Sequence, residues 1–196
     1  VGLVAFESPR PLVHRAGDGG FLVTWWDSTP FVGPDETHPL LAQKLDGNGM
    51  LLWDPAAPDA MDPWGPGIEV LQDITRGRSV PDGAGGLIVM GKIRQGGFRF
   101  QRVLPNQTLG WPTTVDFTAT LEDGIQFNYA PDGAGGMLVA YRDGATIRAF
   151  RVAADGTLPW GASGVDVITS NNDQTEFPVV TADGAGGAFV SWIASS

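Results

Sequence analysis

The chain has 196 residues, 42% of them hydrophobic and only 17% charged, with 28 glycines, 15 prolines and no cysteine. Its net charge of −10 argues against nucleic acid and against insertion into or binding on an anionic membrane, since basic patches supply that affinity. Without cysteine there is no disulfide and no thiolate metal site, and no apolar run reaches the length of a membrane span.

Taken in order, Gly2-Leu3-Val4-Ala5-Phe6 within residues 1–8 reads as a lone strand. It matches Gly164-Val165-Asp166-Val167-Ile168 much later in the chain. Residues 11–72 follow as an enlarged unit. It holds the turn Ala16-Gly17-Asp18-Gly19-Gly20, the alternating run Phe21–Trp25, the strand Leu41–Leu45, Trp53, and the strand Ile68–Leu71. Two insertions interrupt it, Ser28–Pro39 and Asp54–Pro66.

Residues 77–118 form a second unit, with Asp82-Gly83-Ala84-Gly85-Gly86, Leu87–Met90, Phe98–Val103, Trp111 and Val115–Phe117. Gly91 stands where the other units have Trp25, Tyr141 and Trp192. Residues 127–169 are the most regular unit: Phe127–Ala130, Asp132–Gly136, Met137–Tyr141, Thr146–Val152, Asp155–Trp160 and Gly164–Ile168. Residues 176–196 begin another, with Phe177–Val180, Asp183–Gly187 and Ala188–Ile193.

Asp82, Asp132 and Asp183 lie 50 and 51 residues apart. Each opens the pentapeptide Asp-Gly-Ala-Gly-Gly, so the chain is a repeat. The glycines supply the positive φ of a tight hairpin, and the Asp can bond the turn's own amides. The flanking runs have the length and β-branched content of strands. Four short strands at a period of about 50 residues predict an all-β fold, a β-propeller of four-stranded antiparallel blades. A lone strand, three full units and a final strand pair read as part of a longer propeller or array, with exposed edges that want a partner.

Asp155-Gly156-Thr157-Leu158-Pro159-Trp160 resembles part of the Asp-box of sialidase-type propellers. It shares the Asp and the Trp five residues on, and differs in the glycine position and in lacking a leading Ser or Thr. The resemblance implies a folding element away from the active site and does not by itself imply sialidase activity. The whole unit, with its Asp-Gly-Ala-Gly-Gly turn and its Asp-Gly-x-x-x-Trp turn, resembles repeats in large secreted or surface proteins of bacteria. That implies an extracellular or cell-envelope binding or structural module.

The connections on one side of the units differ in length and content, and function in repeat folds sits on such loops. They are Ser28–Pro39, Arg94–Gly97, Asp143–Ala145, Asp73–Arg78, Ala119–Gln126 and Asn171–Glu176. The binding candidates are therefore Phe31, Asp35, Glu36 and His38 in the first loop, Trp64 between Pro63 and Gly65, and Asn171, Asn172, Asp173 and Glu176 in the last. Trp64 is the aromatic outside the repeat and so a candidate contact anchor. Trp53, Trp111 and Trp160 recur at one place and read as packing between units. His14 on a strand reads the same way, and Arg148 and Arg151 as a solvated sheet edge.

Calcium needs six to eight oxygens. The turn aspartates offer one carboxylate each, leaving Asn171–Asp173 or Asp35 and Glu36 as the better calcium candidates. No catalytic grouping is apparent, since His38 has no positioned nucleophile beside it. The function expected is a non-catalytic module, secreted or on the cell surface and without a required cofactor. Its partner would be a protein, a glycan or copies of itself. The alternative is a glycan-active propeller enzyme, drawing two carboxylates from Asp35, Glu36, Asp123 and Glu176.

Overall fold

A computed structural model describes residues 11–26, 38–53, 67–93, 96–119, 126–169 and 175–194. All thirteen regular elements among them are strands, so the chain is all-β. The lone strand expected over residues 1–8 lies outside the described residues.

The first seven strands are β1 (Leu12–Arg15), β2 (Phe21–Trp26), β3 (His38–Leu45), β4 (Ile68–Pro81), β5 (Leu87–Ile93), β6 (Phe98–Val103) and β7 (Val115–Phe117). They form one antiparallel sheet in chain order. The strands β8 (Phe127–Pro131), β9 (Met137–Asp143), β10 (Thr146–Val152) and β11 (Val165–Thr169) form a second, four-stranded sheet. A third, of two strands, contains β12 (Thr175–Ala182) and β13 (Ala188–Ala194).

This overturns the propeller. A propeller needs separate four-stranded blades, and here the first two repeats share a strand. Ile68–Leu71 and the start of the second unit were expected as two strands joined by a loop. Instead β4 runs unbroken for 14 residues. Its first part pairs with β3 (Leu40↔Leu71) and its second with β5 (Val80↔Ile88). The change of partner is absorbed at Asp73, with φ of 58°, a left-handed conformation that Asp tolerates better than most residues. Neither glycine nor proline interrupts Gln72–Arg76, so the ladder continues.

The seven-stranded sheet curls at β4. Leu22, Leu40 and Ala42 from its first half meet Leu87, Val89 and Val103 from its second in one core. The opposite side of β5 and β6 presents Ile88, Met90, Phe98 and Phe100 to Met137, Val139, Tyr141 and Phe150 of the four-stranded sheet. Phe117 stacks on Phe150 at 3.8 Å and 8°, an aromatic pair worth about 0.5–1.5 kcal/mol beyond its buried area. A third core sets Leu138, Ala140 and Ala149 against Val180, Ala188 and Val190 of the last hairpin.

The repeat is thus a stack of faces. Strand β5 is buried on both sides because it serves two cores, and so is most of β9. The exception at Gly91 has a packing cause: a Cβ there would strike the side chain of Ile74, which takes the place of the missing aromatic.

Candidate binding site: the third-strand clamp and the last hairpin

Each turn aspartate holds its own loop. Asp82 Oδ1 accepts the amides of Ala84 and Gly86, both at 2.8 Å. Asp132 does the same for Ala134 and Gly136, both at 2.7 Å, and Asp183 for Ala185 and Gly187 at 2.7 and 2.9 Å. These amide bonds hold the Asp183 carboxyl below its ordinary value. The turn role weighed against calcium is therefore the one the geometry displays.

The second carboxylate oxygen reaches for the third strand of its unit. Asp82 Oδ2 pairs with Arg102 of β6 at 2.8 Å, and Asp132 Oδ2 with Arg151 of β10 at 2.7 Å. In the first unit Ala16 replaces the Asp. The acid has moved two residues to Asp18, which bonds the Gly20 amide at 3.1 Å and pairs with Lys44 of β3 at 2.7 Å. Arg151 is accordingly a clamp rather than the solvated edge residue expected. Arg148 also pairs, with Asp166 at 2.7 Å and Asp143 at 3.4 Å.

Two further features hold the third strand. The last turn glycine lies under its carbonyl: a Cβ on Gly20, Gly86 or Gly136 would collide with the oxygen of Leu45, Val103 or Val152. The tryptophan beyond that strand then bonds the next unit. Trp53 Nε1 donates to the Pro105 carbonyl and Trp111 Nε1 to the Ala154 carbonyl, both at 3.0 Å. Those carbonyls stand two residues past Val103 and Val152. Gln43 and Gln101 brace the tryptophan backbones, accepting from the Trp53 amide at 2.9 Å and the Trp111 amide at 3.3 Å.

The last hairpin keeps these features with no third strand on it. Among the described residues β13 pairs only with β12, and no Lys or Arg reaches Asp183. Gly187 has no third-strand carbonyl over it. Trp160, half-buried, lines an apolar cleft of about 290 Å³ with Ala149, Val165, Val167, Ala188 and Val190. On the other face Phe177, Val179, Phe189 and Ile193 are 56, 50, 68 and 57% exposed. Leu22, Ile88 and Leu138, at the repeat position of Phe189, are buried.

Of the residues expected to bind, Phe31, Asp35, Glu36, Trp64, Asn171, Asn172 and Asp173 lie outside the described residues, as does Asp123. His38 opens β3 and pairs with Ile74 through the backbone. Glu176 is in β12, half-buried and opposite Ile193. The two lie in different sheets. His14 and Ser79 do meet, Nε2 to Oγ at 2.9 Å, and Ser79 Oγ lies 2.8 Å from Thr24 Oγ1. Ser79 is fully buried, so this chain of bonds ties β1 and β2 to β4 and offers no open nucleophile. Burial lowers the His14 pKa.

Residue reading missed the clamp, although its signal was present. Gln43-Lys44-Leu45, Gln101-Arg102-Val103 and Phe150-Arg151-Val152 recur at one repeat position. No protein-family model matches this chain, and no curated protein does.

Proposed function

We propose that this chain is a non-catalytic binding or structural module, secreted or displayed on a bacterial cell surface, that holds another polypeptide. One observation carries the reading: Phe177, Val179, Phe189 and Ile193 make an exposed apolar face on the last hairpin. Large exposed apolar patches mark interaction surfaces. The ion pairs support the same reading, because Asp18, Asp82, Asp116, Asp132 and Asp166 all pair with a Lys or Arg of the scaffold. The resemblance of the repeats to bacterial surface proteins supports the location.

The reading invokes no cofactor. It ranks a polypeptide above a glycan, since the open surface formed by Phe177, Val179, Phe189 and Ile193 is apolar with few hydroxyl-binding groups. A panel of glycosides incubated with the purified chain tests it against the glycan-active alternative. No turnover is expected, and hydrolysis or elimination of any of them would overturn the non-catalytic reading.

A further inference from the structure

We propose that Asn106 is the acceptor of an asparagine-linked glycan. This rests on the secreted or surface-displayed location in the binding-module reading and adds a covalent modification to it. Of the asparagines in the chain, only Asn106 has a Ser or Thr two residues on, Thr108, with a residue other than proline between them. That is the acceptor pattern for asparagine-linked sugar, and it belongs on an accessible loop.

The structure puts it on one. Pro105, Asn106, Gln107, Thr108 and Leu109 are all exposed, in the turn that follows β6. The base of that turn is fixed. The Leu104 amide donates to the Thr108 carbonyl at 2.9 Å and the Gln107 amide to the Leu104 carbonyl at 3.0 Å. The Pro105 carbonyl accepts the Trp53 indole N–H. Beyond the base, Asn106 Oδ1 accepts the Thr108 hydroxyl at 2.7 Å and the Thr108 amide at 3.3 Å. The two ends of the carboxamide are prongs of one planar group, so fixing Oδ1 on the turn leaves Nδ2 directed away from it. Among the described residues no group bonds Nδ2.

The repeat supplies internal controls. The same turn is Asn48-Gly49-Met50 in the first unit and Asp155-Gly156-Thr157 in the third. The first has the amide without the hydroxyl, the third the hydroxyl without the amide. Asp155 Oδ1 accepts the Thr157 hydroxyl at 2.7 Å and the Thr157 amide at 3.0 Å. The turn therefore needs only an oxygen at this place, and the nitrogen of Asn106 takes no part in it. Only the second unit combines an amide nitrogen with the hydroxyl that polarises it.

In the transfer, Asn106 Nδ2 attacks the anomeric carbon of a sugar activated as a phosphate ester. The N–C bond forms and the C–O bond to phosphate breaks. The phosphate leaves with the electron pair, and Nδ2 gives up one proton. The bond from the Thr108 hydroxyl draws electron density toward Oδ1 and eases that loss. The donor is a sugar phosphate carried on a lipid or on a nucleotide. Block transfer of one oligosaccharide marks the first source, and a single sugar the second.

The test is the mass of the chain recovered separately from outside and inside its native cells, with fragmentation to place any addition. The outer chain should exceed its sequence mass by whole sugar residues, all on Asn106. Asn106→Asp and Thr108→Ala, expressed in the same cells, should each lose the whole addition. Asn106→Asp should keep the urea midpoint of the unglycosylated chain, since Asp155 does the same work in the third unit. If it does not fold, Thr108→Ala carries the comparison. An unaltered mass, sugar confined to other residues, or an addition that survives both substitutions would overturn the proposal. A chain found outside the cell with unaltered mass removes the glycan and leaves the location standing. A chain found only inside removes the location reading, and its mass decides the glycan separately.

Discussion

Asp132→Ala is the sharpest single probe of the clamp. The carboxylate is almost wholly buried, with its side chain 1% exposed, and it accepts three bonds of 2.7 Å, from Ala134, Gly136 and Arg151. Truncation strands the buried Gly136 amide, at about 1–3 kcal/mol. The partly buried Ala134 amide recovers water and adds about 1 kcal/mol. Arg151 is partly exposed and turns to solvent at small cost. The sum is about 2–4 kcal/mol, a large share of the ~5–15 kcal/mol typical of a folded chain.

Asp183→Ala removes the same two turn bonds from an exposed carboxylate with no cation on it, so its cost should be a small fraction of that. The first unit suggests a rescue. Asp132→Ala combined with Ala134→Asp and Arg151→Lys copies the Ala16, Asp18 and Lys44 arrangement and should regain about half the loss. Urea titration reads all three variants through the midpoint at constant slope. Equal costs for Asp132→Ala and Asp183→Ala would refute the argument that burial of the carboxylate beneath the third strand sets the strength of the turn bonds.

Four other outcomes follow from the packing and the titrating groups. The folded His14 pKa lies below its ordinary value of 6.5 because burial disfavours the cation. The unfolded chain therefore binds more protons just below pH 6.5, and stability should fall as pH drops through that value, then level off below the folded pKa. His14→Gln should abolish this step in pH-dependent urea midpoints. A second loss should begin below 3.8, as Asp18, Asp46, Asp155 and Asp183, all held low by hydrogen bonds, take up protons. Gly86→Ala should cost about 1–3 kcal/mol through collision with the Val103 carbonyl, and Gly187→Ala clearly less; thermal melts compare them. Phe150→Ala, at the centre of the aromatic core, should cost about 3–5 kcal/mol in the same assay.

The strands were legible because their alternation and glycine turns are local. Gly20, Gly86, Gly136 and Gly187 are recognisable as turn residues in the sequence. What Gly20, Gly86 and Gly136 lie beneath is a third strand's carbonyl, and only long-range pairing reveals that. The fusion of two units through β4 was hidden for the same kind of reason. Nothing in Gln72-Asp73-Ile74-Thr75 marks whether a ladder stops or continues, and one left-handed Asp decides it. Site residues chosen for loop variability missed the pairing of Arg102 with Asp82 and of Arg151 with Asp132. Their role depends on which strand lies beside them, and a strand edge has no composition of its own.

Native-state hydrogen exchange across β9 and β13 tests the central claim most directly. Strand β9 has neighbours on both edges, so every amide from Met137 to Tyr141 should be protected. Strand β13 should show protection at alternate amides only, those turned toward β12, with the others exchanging as open backbone. Continuous protection along Ala188–Ile193 would contradict the pairing described, in which β13 bonds β12 alone among the described residues.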